Sequence, residues 1–464
     1  MSEPDKQGED RSGINRRQLI NRGAVGAVGV VGAGSFLAAC GGSSSSTTTA
    51  ASTTAKATGT ITIGSFEDGA LDTLQKIFIP QFEKETGVKV NYNATSYDAW
   101  YQNAKNDGLQ KTGAYDVYIM DDNWVPEFAA GKIVQNMTEL GLKVNPDILE
   151  KGLNQGYWPP KTGPRLKDFE NDEPQLYALV INDDVNILYF NSDYVTSVPK
   201  TWDDIVAVQK AKANPPSLYG WSARGVKGNP IVMTYLPFLN SYGGSFVNDD
   251  WTPGFNGPEG VGALERFLSF IPVMPAGVPE FDTDQETQVM LQGKALALNE
   301  YTGLTRSIND PKTSKVVGKI LTASTPAQEK SGPAIGTFIA GIASGAKNVD
   351  GAKAFLEWFT SSKVQEQYAL QGGSAAVTKS ALTNPAAAKK YQWLPSIYDA
   401  VNASTPKPKT PEEPKMEDIL GTSLNKALVE AIAAKSGYKQ IAQKHLNEAA
   451  AGITALLTKV GGYY

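Results

Sequence analysis

Strand-like and helix-like segments alternate near the start of the folded part of the chain, and this alternation constrains the fold most strongly. Strand-like segments switch between apolar and polar side chains, whereas helix-like segments repeat apolar residues every three or four positions. Gly87 is placed to end the first helix. The predicted elements, in chain order, are strand 60–64, helix 70–86, strand 88–92, helix 97–110 and strand 115–120. Such short alternating units predict a parallel, three-layer α/β sheet.

The ends of two predicted strands are the first candidate ligand loops. In open α/β sheets, ligands bind outside the carboxyl ends of the strands. That rule points to residues 65–68 and 121–124, which contain Asp68, Asp122 and Trp124. Both loops are therefore candidates for contact with a small molecule.

The rest of the chain predicts more helices and a loop-rich middle. Residues 349–371 form a strongly amphipathic pattern, and Thr201 can cap a helix in which Trp202 is expected to be a core residue. The proline-rich stretch 405–414 predicts an extended segment. Final helices are expected at about 421–435 and 437–459.

Composition excludes the common catalytic centres. His445 is the only histidine, and it lies on a polar face where a solvated surface role is expected. Without a second histidine or a free cysteine, the usual zinc sites and Ser-His or Cys-His nucleophile systems are missing. We therefore expect no metal, no cofactor and no enzymatic activity. The net charge of −5, without a basic cluster, argues against a nucleic-acid partner.

The N-terminal segment looks like an export signal followed by a linker. A twin arginine at 16–17 precedes a short glycine-rich apolar run and resembles a Tat export motif, with Sec export as the open alternative. Leu37-Ala38-Ala39-Cys40 resembles a bacterial lipobox, in which the cysteine is acylated. We expect a signal peptide over 1–39, a lipid anchor on Cys40 and a Ser/Thr-rich linker over 40–58. The protein should then be held at the outer face of the bacterial cytoplasmic membrane.

Seven segments in chain order resemble the family 1 extracellular solute-binding proteins, the carbohydrate receptors of bacterial ABC importers. The segments are FEKETGVKV at 82–90, YDVYIMDD at 115–122, YFNSD and PKTWDDI within 189–205, YGG at 242–244, FNGPEG at 255–260, GKALA at 293–297 and AKAFL at 352–356. Each segment alone is weak evidence, but together they cover most of the chain in the family's order.

The resemblance implies a maltose-binding-protein-like architecture of the periplasmic-binding-protein type II class. Two three-layer α/β lobes are joined by a hinge of three crossing segments, and the ligand lies between the lobes. The implied lobe boundaries are 59–181 with 341–385 for the amino lobe, and 182–340 with 386–464 for the carboxy lobe. The implied function is capture of a carbohydrate or polyol and its delivery to the permease subunits of an ABC importer, by a receptor expected to be monomeric.

Ten residues are the candidate ligand contacts. A sugar or polyol offers hydroxyl groups, which carboxylates accept in charge-assisted hydrogen bonds, and apolar C–H faces, which aromatic rings cover. Where the loop rule and the resemblance coincide, or where the resemblance alone points, the candidates are Asp68, Asp122, Trp124, Asp184, Trp221, Arg224, Tyr242, Glu300, Tyr301 and Phe338. Their acidic neighbours are less favoured, because adjacent side chains on an extended chain point in opposite directions. Those neighbours are Glu67, Asp121 and Asp183.

Two alternatives stay open at this point. A cationic solute such as a polyamine is the rival ligand, since carboxylates hold ammonium groups as well as hydroxyls. A secreted glycoside hydrolase with paired carboxylates is a remote alternative from a different functional class.

Overall fold

A computed structural model describes residues 57–372 and 375–463. The predicted signal peptide, the twin arginine, Cys40 and nearly all of the linker lie outside the described residues. No helix of the described residues is long and apolar enough to cross a membrane.

The amino lobe is built around a five-stranded sheet. The strands of the protein are β1 (Thr60–Phe66), β2 (Lys89–Thr95), β3 (Val117–Asp121), β4 (Tyr157–Trp158), β5 (Gln175–Leu176), β6 (Ala178–Asn182), β7 (Asn186–Asn191), β8 (Ala297–Tyr301), β9 (Ile320–Ala323) and β10 (Phe338–Ile342). The order of the amino-lobe sheet is β2-β1-β3-β10-β6. The predicted parallel pairing is confirmed for β1 with β2 and β3. It is wrong for β10, which lies antiparallel to β3 and β6 because it enters the sheet on its way back from the other lobe.

The carboxy lobe contains the antiparallel sheet β8-β7-β9. The chain leaves the amino-lobe sheet after β6 and starts β7 only four residues later, so residues 183–185 pass between the sheets. It returns through residues 334–337, where Ile335 still bridges to Val185 and Thr405 bridges to Ala334. Both crossings bring backbone from the two lobes to the same place.

Helices cover the faces of both sheets. They are α1 (Ile79–Thr86), α2 (Tyr97–Gln110), α3 (Val125–Ala130), α4 (Glu150–Leu153), α5 (Trp202–Lys212), α6 (Asn229–Ser241), α7 (Pro258–Leu268), α8 (Thr283–Leu291), α9 (Leu304–Asn309), α10 (Val349–Phe359), α11 (Ser362–Leu370), α12 (Lys379–Leu382), α13 (Pro385–Lys390), α14 (Leu394–Ala403), α15 (Glu413–Ala434) and α16 (Tyr438–Val460). A π-helical segment, Leu74–Phe78, leads into α1, and 3-10 turns follow β1 and β3.

The predicted helix boundaries are confirmed where local signals set them. The helix over 97–110 forms as predicted, and Gly87 ends α1 with a left-handed φ of 83°. Thr201 begins α5 through a capping box with Asp204. The predicted single helix over 349–371 is instead two helices, because Ser361 adopts an extended conformation and starts α11 anew.

Aromatic residues dominate the carboxy-lobe core. Trp202 is fully buried, as predicted, and stacks on Phe238 with ring centroids 3.9 Å apart. Its indole donates a hydrogen bond to the hydroxyl of Ser241 over 2.8 Å. Such burial of large rings, with their polar atoms paired, makes the lobe a rigid support for the loops that it carries.

His445 lies in the protein interior rather than at the solvated surface that its polar neighbours predicted. Only 4% of the residue is exposed. Its Nε2 lies 2.8 Å from the Glu430 carboxylate and its Nδ1 lies 3.1 Å from that of Glu448. Contact between α15 and α16, which sequence periodicity does not specify, places the ring between two acids and gives it a structural role.

Candidate functional site: the cleft between the lobes

Aromatic rings at the carboxyl ends of β1 and β3 form the amino-lobe wall of the cleft. Phe66 packs edge-on against Phe338, with ring centroids 4.9 Å apart, and against Tyr97 at 5.4 Å. Trp124 is 5% exposed, and its indole donates a hydrogen bond to the Tyr97 hydroxyl over 3.0 Å. Trp124 therefore supports the wall from beneath, while Tyr97 and Phe338 are the more exposed rings.

The two acids after β3 have different environments. Asp122 is buried and forms an ion pair with Lys409, whose Nζ lies 3.2 Å from Oδ2. Asp121 is half-buried and accepts a hydrogen bond from the Tyr97 hydroxyl over 3.1 Å. Burial, and then the charge of Asp122, raise the pKa of Asp121 to about 6. Asp121, the neighbour that the sequence analysis favoured less, thus forms no ion pair within the part of the chain that the structure describes.

Asp184 lies where the first crossing meets the carboxy lobe. Its Oδ1 accepts hydrogen bonds from the Thr302 hydroxyl and, over 2.9 Å, from the Thr302 backbone N–H. Burial raises the pKa of Asp184 to about 7, although these hydrogen bonds act in the opposite direction. Its neighbour Asp183 is completely buried beneath the backbone of Gly152, and burial raises its pKa well above the usual range. Among the described residues, the second oxygen of Asp184 accepts no hydrogen bond, whereas the Asp183 carboxylate is enclosed by protein.

Asp68 is exposed and starts the 3-10 turn after β1. Its Oδ1 accepts a hydrogen bond from the Ala70 N–H over 2.7 Å, so it acts as a helix cap in this structure. Its charge also interacts with Asp184 and with Arg306 of the carboxy lobe. Asp68 can cap the turn and also lie beside the cleft, because the turn uses only one of its two carboxylate oxygens.

The carboxy-lobe wall carries a buried charged network around Arg224. Its Nε lies 3.1 Å from Glu300 Oε2 and 3.8 Å from Glu286 Oε2. The guanidinium is 5.5 Å from the ring centroid of Tyr301, a cation–π contact. The Tyr301 hydroxyl in turn lies 3.1 Å from the sulfur of Met233. Arg224 therefore links Glu300 and Tyr301, two further predicted residues of this wall.

A second charged network comes from residues that sequence reasoning missed. Lys407 Nζ lies 3.0 Å from Glu413 and 3.1 Å from Glu417, and it interacts electrostatically with Asp121 and Tyr301. Burial, and then the charge of Glu417, raise the pKa of Glu413 to about 8. The sequence signal for this network was the spacing of Lys407 and Lys409 in the proline-rich stretch, because residues two apart on an extended chain lie on the same side.

Two predicted residues lie apart from this group. Trp221 is 1% exposed and packs within the carboxy-lobe core, with its ring centroid 5.4 Å from that of Phe270. The Tyr242 hydroxyl accepts a hydrogen bond from Arg266 Nε over 3.2 Å, and its ring packs beside Gly262 on α7. Among the described residues, neither forms a hydrogen bond, an ion pair or a ring contact with the cleft residues described above, and their contact with a ligand stays a prediction.

Direct contacts between the lobes flank the cleft. Arg306 donates a hydrogen bond to the Gly69 carbonyl oxygen and lies 3.6 Å from the Asp72 carboxylate. Near β3, Lys409 donates to the Asp122 carbonyl oxygen over 3.0 Å, in addition to its ion pair with the carboxylate. Both lobes therefore contribute charged groups to each end of the aromatic wall.

The described cleft can bind a polar, uncharged molecule. It presents aromatic rings, carboxylates and cations side by side, so it offers acceptors and donors at short range. Asn299, buried in β8 beside Glu300, has no hydrogen-bond partner for its amide among the residues that the structure describes. Buried polar groups are normally paired, so these atoms are consistent with a site that a ligand or water completes.

Comparison with known proteins identifies the family. The model for the bacterial extracellular solute-binding proteins matches residues 68–366. A probable amino-acid ABC transporter periplasmic-binding protein of Sinorhizobium fredii is 23% identical over 77% of this chain and 85% of its own length. A maltotriose-binding protein of Pyrococcus abyssi is 24% identical over 66% of this chain and 63% of its own length.

A solved structure of an ABC transporter solute-binding protein from Agrobacterium radiobacter in complex with ribitol has the same fold. Its TM-score is 0.69 at 24% identity, and the match covers 86% of this chain and 98% of that one. The fold shared with this relative is the two-lobed α/β architecture described above. The chain therefore belongs to the family of bacterial extracellular solute-binding proteins, which are receptors of ABC transporters and not enzymes.

Proposed function

We propose that this protein captures a carbohydrate or polyol in the cleft between its lobes and delivers it to the permease subunits of an ABC importer. The observation that carries the proposal is the position of Tyr301 among groups of both charges. Its ring contacts Arg224, and it interacts electrostatically with Asp184, Glu300 and Lys407, the last of which also interacts with Asp121. Hydroxyl groups both donate and accept, so a mixed set of partners suits them.

The energetics require only a few such contacts. Hydrogen bonds to charged groups contribute about 1.5–3 kcal/mol each, and a micromolar affinity corresponds to about 8 kcal/mol. A sugar-sized ligand that uses two carboxylates, one cation and one aromatic face reaches this range after the cost of association. Asp121, Asp184, Arg224 and Tyr301 are the residues that we assign to these contacts, with Asp68, Glu300 and Phe338 around them.

The mixture of donors and acceptors favours a hydroxylated ligand over a polyamine. Lys407 and Lys409 lie beside the acids after β3, and Arg224 lies beside Glu300. Ammonium groups only donate hydrogen bonds and can use the carboxylates alone, whereas hydroxyl groups can pair with carboxylates and with cations. The names of the relatives given above refer to ribitol, to maltotriose and, for the Sinorhizobium protein, to a probable amino-acid transporter. A neutral hydroxylated ligand uses both kinds of partner in this cleft.

We further propose that the lobes open and close around residues 183–185, 334–337 and about 385–392. Contacts made only in the closed form would shift the population towards closure when the ligand binds. The lobe boundaries expected from the sequence, 59–181 with 341–385 and 182–340 with 386–464, follow these segments. The permease could then distinguish loaded from empty receptors.

Attachment to the membrane through an acylated Cys40 completes the proposal. A receptor tethered by the 40–58 linker would stay close to its permease, since such a linker reaches about 20–25 Å on average. Replacement of Cys40 by serine should release a protein with unchanged ligand affinity into the medium. A Cys40→Ser protein that remains with the membrane would contradict the anchor.

A thermal-shift screen followed by calorimetry tests the proposed ligand class. The panel contains monosaccharides, disaccharides, polyols, polyamines and amino acids at equal concentration. A ligand at 100 times its Kd stabilises the folded state by about 2.7 kcal/mol, which is readily measured as a higher Tm. We expect stabilisation by a sugar or polyol. Stabilisation by polyamines or amino acids alone would overturn the proposal.

A further inference from the structure

A cavity of about 210 Å³ adjoins the cleft on the side of Lys407. Four chain segments line it: Asn154 with Gln155, residues 160–164 of the loop between β4 and β5, residues 405–409, and the turn that carries Ser245 and Asp249. Its volume is below the range of about 300–1,000 Å³ for sites that hold drug-sized ligands. The cavity is therefore suited to a single small group.

A cluster of contacts, which we call the Trp251 clasp, follows in the chain directly after segments that line this cavity. The Trp251 indole donates a hydrogen bond to the Arg165 carbonyl oxygen over 2.9 Å, and its ring meets Tyr463 edge-on at 4.9 Å. The hydroxyls of Tyr463 and Thr410 are 2.5 Å apart, and the Lys167 N–H donates to the Gly462 carbonyl oxygen over 2.9 Å.

The clasp and the cavity are parts of one arrangement. Three of the four segments that line the cavity end one or two residues before a member of the clasp: 164 before Arg165, 249 before Trp251 and 409 before Thr410. Trp251 is 1% exposed and has a left-handed φ of 66°, a conformation that bulky residues rarely adopt. Such a backbone persists only where surrounding contacts impose it, and strain of this kind concentrates at functional sites.

The lining chemistry matches a hydroxylated ring. Gln155 is 3% exposed, lines the cavity, and its Oε1 has no hydrogen-bond partner within the described part of the chain. Lys161 and Lys407 add donors, whereas several prolines and Phe246 add apolar surface. A sugar ring has the same division into polar hydroxyls and apolar C–H faces.

We propose that this cavity is an additional subsite of the cleft, which takes one further hydroxylated ring of the ligand, and that the Trp251 clasp is its end wall. The proposal rests on the proposed carbohydrate function. Lys407 connects the two sites, because it lines the cavity and also interacts with Asp121 and Tyr301. A disaccharide would place one ring against Tyr301 and the second ring beside Gln155.

Calorimetry with sugars of increasing length tests this subsite on the full mature protein. The probes are glucose, galactose and xylose with the di- and trisaccharides of each, and ribitol and mannitol as open-chain polyols. We expect a disaccharide to bind at least 10-fold more tightly than its monosaccharide, and the trisaccharide to bind no more tightly than the disaccharide. Equal affinities for mono- and disaccharide, or binding of polyols alone, would overturn the subsite and leave the proposed function intact. No binding by any probe would overturn the proposed function itself.

Variants separate the subsite from the wall. Gln155→Leu should weaken the disaccharide about 5-fold and leave the monosaccharide unchanged, because one hydrogen bond contributes about 1 kcal/mol. Lys161→Met provides a second rim variant if Gln155→Leu does not fold.

Deletion of residues 461–464 removes Tyr463 from the clasp and should allow the trisaccharide to bind more tightly than it binds the wild type. Tyr194→Ala, at an exposed tyrosine of the carboxy lobe, is the matched control. Equal weakening of mono- and disaccharide by the rim variants, or an unchanged trisaccharide affinity after the deletion, would contradict the assignment.

Discussion

The two walls of the cleft are built by different means. The amino-lobe wall is a set of rings that pack on one another, from Phe66 through Tyr97 to Trp124. The carboxy-lobe wall depends on buried charges, with Arg224 between two glutamates and Lys407 between two others. Packed rings form a surface that is complete before the ligand arrives, whereas a charged network is balanced only while every partner is present. Damage to the second wall should therefore cost stability, and damage to exposed rings should cost mainly affinity.

The largest expected effect is on stability and comes from Arg224→Met. This change leaves Glu286 and Glu300 buried without their cation, so the free energy of unfolding should fall by about 3–5 kcal/mol. Urea unfolding with and without the substitution measures it. Arg266→Met is the matched control, because its partner Asp203 is largely solvent-exposed, and it should change the stability by less than about 1 kcal/mol. Equal effects of both substitutions would show that the buried network does not support the wall.

The acids after β3 provide the next largest contrast. Asp122→Asn removes the negative charge that balances buried Lys409 and should lower the free energy of unfolding by about 2–3 kcal/mol. Asp121→Asn should instead lower ligand affinity with little effect on stability. Urea unfolding and calorimetry on both variants distinguish the roles, and the reverse result would assign Asp122 to the ligand.

Removal of the ring at Tyr301 tests the contact surface of the carboxy lobe. Tyr301→Ala should raise the Kd about 10–30-fold, since buried aromatic contacts of this kind contribute about 1.4–2 kcal/mol to binding. Calorimetry with the ligand from the screen measures the change, and Tyr194→Ala should leave the Kd unaltered. An affinity that survives Tyr301→Ala would move the ligand away from this wall.

A pH series tests the partly buried acid Asp184 at the crossing. The pKa of Asp184 is raised to about 7 in the folded protein, whereas an unfolded aspartate titrates near 3.9. A raised carboxyl pKa stabilises the folded state most below about pH 4, and this contribution is lost as the pH rises towards 7. The stability of the wild type relative to Asp184→Asn should therefore decline by about 1–2 kcal/mol between pH 4 and 7, after allowance for partial solvent screening. A constant difference across this range would contradict the burial of Asp184.

The smallest effect is expected at Tyr242, which lies against α7 rather than in either wall. Tyr242→Phe loses one hydrogen bond from Arg266 and should change the Kd by less than 2-fold. A large loss of affinity would mean that the turn before Gly243 reaches the ligand and that the two walls do not account for the site.

Local patterns in the sequence predicted the elements that local forces determine. The helix over 97–110, the end of α1 at Gly87 and the cap at Thr201 depend on residues only a few positions apart. The antiparallel entry of β10 depends on pairing with strands far away in the chain, so alternation alone did not reveal it. Family resemblance supplied the two-lobed arrangement that periodicity could not.

The site was predictable in part for the same reason. Resemblance pointed to Asp184, Glu300 and Tyr301, which lie close enough in the structure to interact electrostatically, and their contact with a ligand stays a prediction. The choice between Asp121 and Asp122 depends on the direction in which the chain turns after β3, because the two neighbouring side chains have different partners, Tyr97 and Lys409. Lys407 was missed because it lies in a proline-rich stretch whose contacts come entirely from distant parts of the chain.

The late position of Lys407 and Lys409 has a consequence for synthesis. All five strands of the amino-lobe sheet are complete by Ile342, whereas the two lysines follow more than sixty residues later. A product of synthesis that ends before residue 407 therefore lacks both lysines, and the buried Asp122 carboxylate would lose its ion pair.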